Sequence, residues 1–120
     1  MAYDSIEAFH TARAAGQQRL ESCDHLGIKR LLALDSGAYR DASDHDGLPA
    51  STKELLGLVA STVLRCDDCI AFHTENCAKA GFTTKQIEDA FNGAMIVGGS
   101  ITIPHVRRAL LLLDKLMPDA

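Results

Sequence analysis

Tryptophan is absent from this chain, and the other aromatics are two tyrosines and four phenylalanines, 5% of 120 residues. A core must therefore be filled by Ala, Leu, Ile and Val, side chains that suit close helix-on-helix packing. Charge of one sign is not concentrated anywhere. No basic run exceeds a pair such as Arg107–Arg108, and the net charge is −4 from 12 basic and 16 acidic residues. That excludes the basic footprint of a nucleic-acid binder. No apolar run approaches the roughly 20 residues that span a bilayer. The opening MAYDSIEAFHTARA carries acids early and lacks the apolar centre of a signal peptide. Together these absences predict a cytoplasmic protein with neither a membrane nor a nucleic-acid partner.

What is present reads as an ordinary globular mixture, 47% apolar and 23% charged, so a packed core is expected rather than disorder. The length predicts one domain over 1–120 and leaves no room for a second core. Caps and periodicity predict an all-α bundle of about six helices. Asp4 with Glu7 resembles a capping box for a helix to about Glu21, and a second runs from about Ile28 to Tyr39 with Leu31, Leu32 and Leu34 on a stripe. The polar stretch Arg40–Ala50 is the one long loop. Ser51 and Glu54 form a capping box for a third helix, a fourth runs from about Cys66 to Ala80 before Gly81, and Thr83 with Gln86 caps a fifth to about Val97. Pro104 opens a last helix ending before Pro118. Only the short Ser100–Ile103 alternates like a strand.

The fifth helix carries Ala90, Phe91, Ala94, Met95, Ile96 and Val97 around most of its circumference. A helix apolar on all sides is a buried one. A bundle of this size has little room to enclose it, so burial against a second subunit is expected, with a central helix in one subunit as the alternative.

Chemistry concentrates in Arg65-Cys66-Asp67-Asp68-Cys69-Ile70-Ala71-Phe72-His73. Cys66, Cys69 and His73 lie on one helix face, a spacing that lets the two sulfurs approach disulfide distance with the imidazole one turn further on. In a reducing compartment such a CxxC reads as catalytic or metal-binding. Free N–H groups at the helix start stabilise a thiolate and His73 supplies a base, whereas Asp67 and Asp68 oppose the thiolate. Zinc on Cys66, Cys69, His73 and Cys77 would need four donors around one ion. Cys66 and Cys77 are about 16 Å apart along a helix axis, so no metal is expected. Cys23 and Cys77 read as buried, inert thiols. His10, His25, His45 and His105 read as surface or packing residues, and Glu54, on the residues alone, as the cap partner of Ser51.

The pattern Lys53-Glu54-Leu55-Leu56, Cys66-x-x-Cys69-x-x-x-His73, Ala80-Gly81 and Gly98-Gly99 resembles the alkyl hydroperoxidase D-like branch of the carboxymuconolactone decarboxylase family, over about Leu48 to Leu113. The resemblance implies an all-helical fold, assembly into a homo-trimer or homo-hexamer, and peroxide or disulfide reduction without a cofactor, with electrons from a dithiol protein or small thiol. It implies that Cys69 is the peroxidatic cysteine, that Cys66 is the more accessible partner that resolves it, and that Glu54 and His73 relay protons. Peroxidase members carry a histidine just before the second cysteine, and Asp68 stands there instead. The alternatives are a carboxymuconolactone-type decarboxylase, a lyase with incidental cysteines, and a non-enzymatic thiol redox sensor. In a straight helix Glu54 would lie about 18 Å from Cys66. Either a turn near Leu64–Cys66 must fold it back beside His73, or a second subunit must supply it.

Overall fold

A computed structural model describes residues 4–118. Its regular elements are α1 (Ile6–Glu21), α2 (Leu26–Ala38), α3 (Ala50–Leu64), α4 (Asp67–Lys79), α5 (Thr84–Gly98) and α6 (Ile103–Leu116). Short 3-10 turns occupy Ser43–His45 and Ser100–Thr102. The all-α, six-helix expectation holds. The strand-like Ser100–Ile103 winds into the turn before α6, so no strand forms among the described residues. None of these helices is long and apolar enough to cross a membrane.

The cap at Thr83 forms as expected, its hydroxyl accepting from the Gln86 N–H while the Gln86 side chain accepts from the Thr83 N–H. Two other caps differ. Ser5, not Asp4, caps α1 by accepting from the Ala8 N–H. For α3, Ser51 lies inside the helix and Pro49 occupies the capping position without a side-chain bond. The loop supplies the missing acceptor, because Asp41 Oδ2 takes the Ala50 N–H at 3.0 Å. The Ser51–Glu54 capping box is thus not formed, and the Glu54 carboxylate is available elsewhere.

The core lies among α3, α4, α5 and α6, where α3 packs on both α4 and α5 and α6 covers α4. Leu58, Ile70, Cys77, Ile87, Phe91, Val106, Ala109 and Leu113 are buried in one cluster. Fully burying such a side chain is worth about 1.5–3 kcal/mol. The outer helices contribute far less. From α1 only Phe9 is buried, against Ala71 and Leu112. From α2 no residue is buried, and of its leucine stripe Leu31 and Leu34 are 67% and 71% exposed. In α5 the apolar girdle divides. Ile87, Phe91 and Ala94 are buried, while Ile96 and Val97 are exposed at its end.

Candidate active site

A left-handed Arg65 (φ 62°) turns the chain between α3 and α4, with the Arg65 and Cys66 N–H groups donating to Thr62 and Ser61 carbonyls at 3.1 Å. This is the turn that folds α4 back along α3. It places Glu54 beside His73 in the same chain, and His73 Nδ1 lies 2.8 Å from Glu54 Oε2. The same oxygen accepts from Asn76 Nδ2 at 3.3 Å. Of the two routes open from sequence, the direct intrachain contact is the one formed.

Cys66 is the N-cap of α4, its sulfur accepting from the Cys69 N–H at 3.2 Å. Cys66 and Cys69 are joined by a disulfide, with their Cα atoms 5.2 Å apart. Cys69 is exposed and Cys66 only half-buried, which reverses the expected order of accessibility. The capping geometry explains it: a cap side chain folds over its own helix end, whereas Cys69 in the first turn points outward. Cys69 opens onto a cavity of about 220 Å³ lined by Phe9, Arg13, Asp35, Tyr39, Phe72 and His73 among others.

The two acids between the cysteines behave differently from expectation. Asp67 is turned away and neutralised, with His105 Nδ1 2.7 Å from its Oδ1 and Arg108 Nη2 3.1 Å from its Oδ2. Its opposition to a thiolate is offset by Arg108, and His105 is a hydrogen-bonding neighbour of Asp67 rather than an idle surface residue. Asp68 lines the cavity. His10 likewise has a partner, Glu75 Oε2 at 2.7 Å. Burial by itself would raise the Glu75 carboxyl, but hydrogen bonds from His10 and Lys79 hold it below its ordinary range.

Two further residues shape the site. The Tyr39 hydroxyl lies 3.3 Å from His73 Nε2. Burial, then the charges of Asp35 and Glu54, push its phenol pKa up, so it stays protonated. Nothing local in the sequence joins Tyr39 to His73, 34 positions away. Gly57, on the α3 face that carries Glu54, is the second. A Cβ built there would stand 2.5–2.8 Å from three atoms of the His73 ring. An interior helix glycine is only a weak sequence signal, since Gly16, Gly37 and Gly93 also sit in helices and a Cβ at each would meet nothing within 4 Å.

The remaining cysteines stand apart. Cys77 is fully buried, and burial followed by the Glu54 charge pushes its thiol up to about 12, consistent with the inert role expected. Cys23 is only partly buried, beside the Arg19 guanidinium at 3.2 Å. Among the described residues, no three His, Cys, Asp or Glu side chains come together as a metal site would require.

The carboxymuconolactone decarboxylase family profile matches residues 29–111, beginning earlier than the motif resemblance did. A curated relative, an uncharacterised protein of Cupriavidus necator, is 29% identical over 67% of this chain and 71% of its own length. A carboxymuconolactone decarboxylase family protein of Thermotoga maritima, for which a role in antioxidative response has been suggested, is 45% identical. It covers 92% of this chain and 90% of its own, with a TM-score of 0.84. A family protein from Legionella pneumophila shares the fold at a TM-score of 0.70 and 20% identity, over 92% of this chain and 91% of its own.

Proposed function

This chain belongs to the carboxymuconolactone decarboxylase family, and within it we propose that it is a thiol-dependent oxidoreductase of the alkyl hydroperoxidase type. One observation carries the reading: a CxxC disulfide at a helix start opens, through Cys69, onto the cavity that also holds the Glu54-bound His73. A lyase acting through acid–base groups would have no use for that dithiol. The suggested antioxidative role of the Thermotoga protein agrees with it.

In the reduced protein the Cys69 thiol loses its proton toward His73, whose imidazolium the Glu54 carboxylate stabilises. The α4 N-terminus favours the resulting thiolate. The thiolate attacks one peroxide oxygen: an S–O bond forms, the O–O bond breaks, and the departing oxygen takes a proton to leave as alcohol or water. Cys66 then attacks the sulfenic sulfur, forming the Cys66–Cys69 disulfide and releasing water. A dithiol protein or small thiol reduces that disulfide by exchange and is itself oxidised. Cys69 takes the peroxidatic role because it lines the cavity, and Cys66 resolves. No cofactor enters the cycle. The cytoplasm would supply the reductant, and the exposed Ile96 and Val97 would be covered in a homo-trimer or homo-hexamer.

The test is steady-state reduction of tert-butyl hydroperoxide by dithiothreitol. Cys69→Ser should abolish turnover, and prereduced Cys66→Ser, freed of dithiothreitol, should consume one equivalent of peroxide and stop. Equal residual turnover in both variants, or none in the unsubstituted protein, would refute the proposal.

A further inference from the structure

His73 has to move protons to and from sulfur chemistry at Cys69, yet neither ring nitrogen is free to do so directly. Nδ1 faces the Glu54 carboxylate at 2.8 Å, and Nε2 faces the Tyr39 hydroxyl at 3.3 Å. The ring is hemmed in on its other sides. The α3 backbone at Gly57 lies so close that a Cβ would overlap it, and Phe72 packs edge-on with centroids 5.2 Å apart. Only 6% of His73 is exposed. Its orientation is therefore fixed by packing, and its outward nitrogen is already bonded to a residue that itself lines the Cys69 cavity.

The geometry points to Tyr39 as a further catalytic residue, whose hydroxyl carries protons between His73 and the reacting atoms at Cys69. This rests on the peroxide-reducing reading given above and specifies its proton path. A carboxylate at Nδ1 holds a proton on that nitrogen and leaves Nε2 as an acceptor, so the Tyr39 O–H donates to it. During activation the Cys69 thiol proton passes to the Tyr39 oxygen while the Tyr39 proton passes to Nε2, giving thiolate and imidazolium. When the thiolate attacks and the O–O bond breaks, the departing alkoxide takes the Tyr39 proton. The imidazolium returns its Nε2 proton to the Tyr39 oxygen. The sum is one thiol and one hydroperoxide converted to one sulfenic acid and one alcohol, with Tyr39, His73 and Glu54 restored. The raised phenol pKa suits a hydroxyl that passes protons without persisting as phenolate.

Tyr39→Phe keeps the ring packed on His73, at a centroid distance of 5.1 Å in the unsubstituted protein, and removes only the hydroxyl. The two proteins are compared after reduction, with a thermal melt to check folding and two single-turnover reactions followed by mass spectrometry of Cys69. Oxidation by tert-butyl hydroperoxide needs both a thiolate and a proton for the departing oxygen. Alkylation by iodoacetamide, measured at its high-pH plateau, needs the thiolate alone. Proton assistance of this kind is typically worth about 10²–10⁴-fold. We expect the peroxide rate of Tyr39→Phe to fall at least about tenfold further than its alkylation plateau. A smaller difference overturns the role of Tyr39, and so does an equal fall in both rates, which would mark it as a packing residue. If the unsubstituted protein alkylates but never reacts with peroxide, the oxidoreductase proposal itself fails and this one with it. The wild-type arm thus separates the two failures.

Discussion

Replacing Gly57 by alanine should separate catalysis from stability. The new Cβ would meet the His73 ring at 2.5–2.8 Å, where ordinary carbon contacts lie at about 3.5–4.0 Å. The ring must retreat by roughly an ångström, and it cannot do so while keeping Glu54 and Tyr39 as partners. Overpacking of this kind costs about 1–3 kcal/mol. Against that, alanine is favoured over glycine in a helix interior by about 1 kcal/mol. The net loss is between nothing and about 2 kcal/mol, which is from no change to a fall of about eight degrees in melting temperature for a chain this size. Reactivity should suffer more, since an ångström of misplacement can cost about 10²-fold. Gly16→Ala in α1, where a Cβ meets nothing within 4 Å, is the matched control and should stabilise slightly without changing the rate. The measurements are a thermal melt and the rate of Cys69 oxidation by peroxide. If Gly57→Ala matches Gly16→Ala in both, the close packing of Gly57 on His73 has no functional weight and the reasoning is wrong.

Other predictions follow from the same geometry. Glu54→Gln should slow Cys69 oxidation near neutral pH by roughly 10–100-fold, the worth of a charge-assisted hydrogen bond of about 1.5–3 kcal/mol; an unchanged rate would remove the carboxylate from the relay. Arg108→Ala strips Asp67 of a cation beside the cysteines and should lower their alkylation rate at neutral pH about fivefold, the effect of about 1 kcal/mol between charges in a watery setting. No change would mean that Asp67 is already screened by solvent. Asp41 is held down to about 2, first by the Ser43 side chain and then by backbone N–H groups including that of Ala50. Its contribution to stability should be complete above its ordinary value of 3.8 and lost as the pH falls to about 2. The difference in melting temperature between the wild type and Asp41→Ala should vanish over that interval, and a constant difference would contradict the assignment.

The parts of this protein legible in its sequence are those written in neighbouring residues. The Thr83–Gln86 cap, the Pro104 start and the Cys66–Cys69–His73 face are each set by contacts within one or two turns, and all form. The Ser51–Glu54 cap obeyed the same local rule and failed because a distant group, Asp41, already caps α3. Glu54 could be brought to His73 only through the family resemblance, since the turn at Arg65 relies on a non-glycine residue with positive φ. Tyr39, Arg108 and His105 were out of reach for one physical reason: each meets its partner across 34 to 41 positions, with no periodicity connecting them. The Leu31–Leu34 stripe misled in the opposite sense, because an amphipathic pattern states that a face is fit for burial and not what buries it.

The cavity is walled by two parts of the chain. Cys69, His73, Tyr39 and Asp35 fall within the stretch shared with the family, residues 29–111. Phe9 and Arg13 come from α1, outside it, with Arg13 laid over the Phe72 ring at 4.4 Å. Substitution of Arg13 would therefore alter the size and charge of the cavity without touching the Glu54–His73 pair or the disulfide. Under the proposed dithiol chemistry, variation at Arg13 would change which peroxide enters while leaving the reacting cysteines in place.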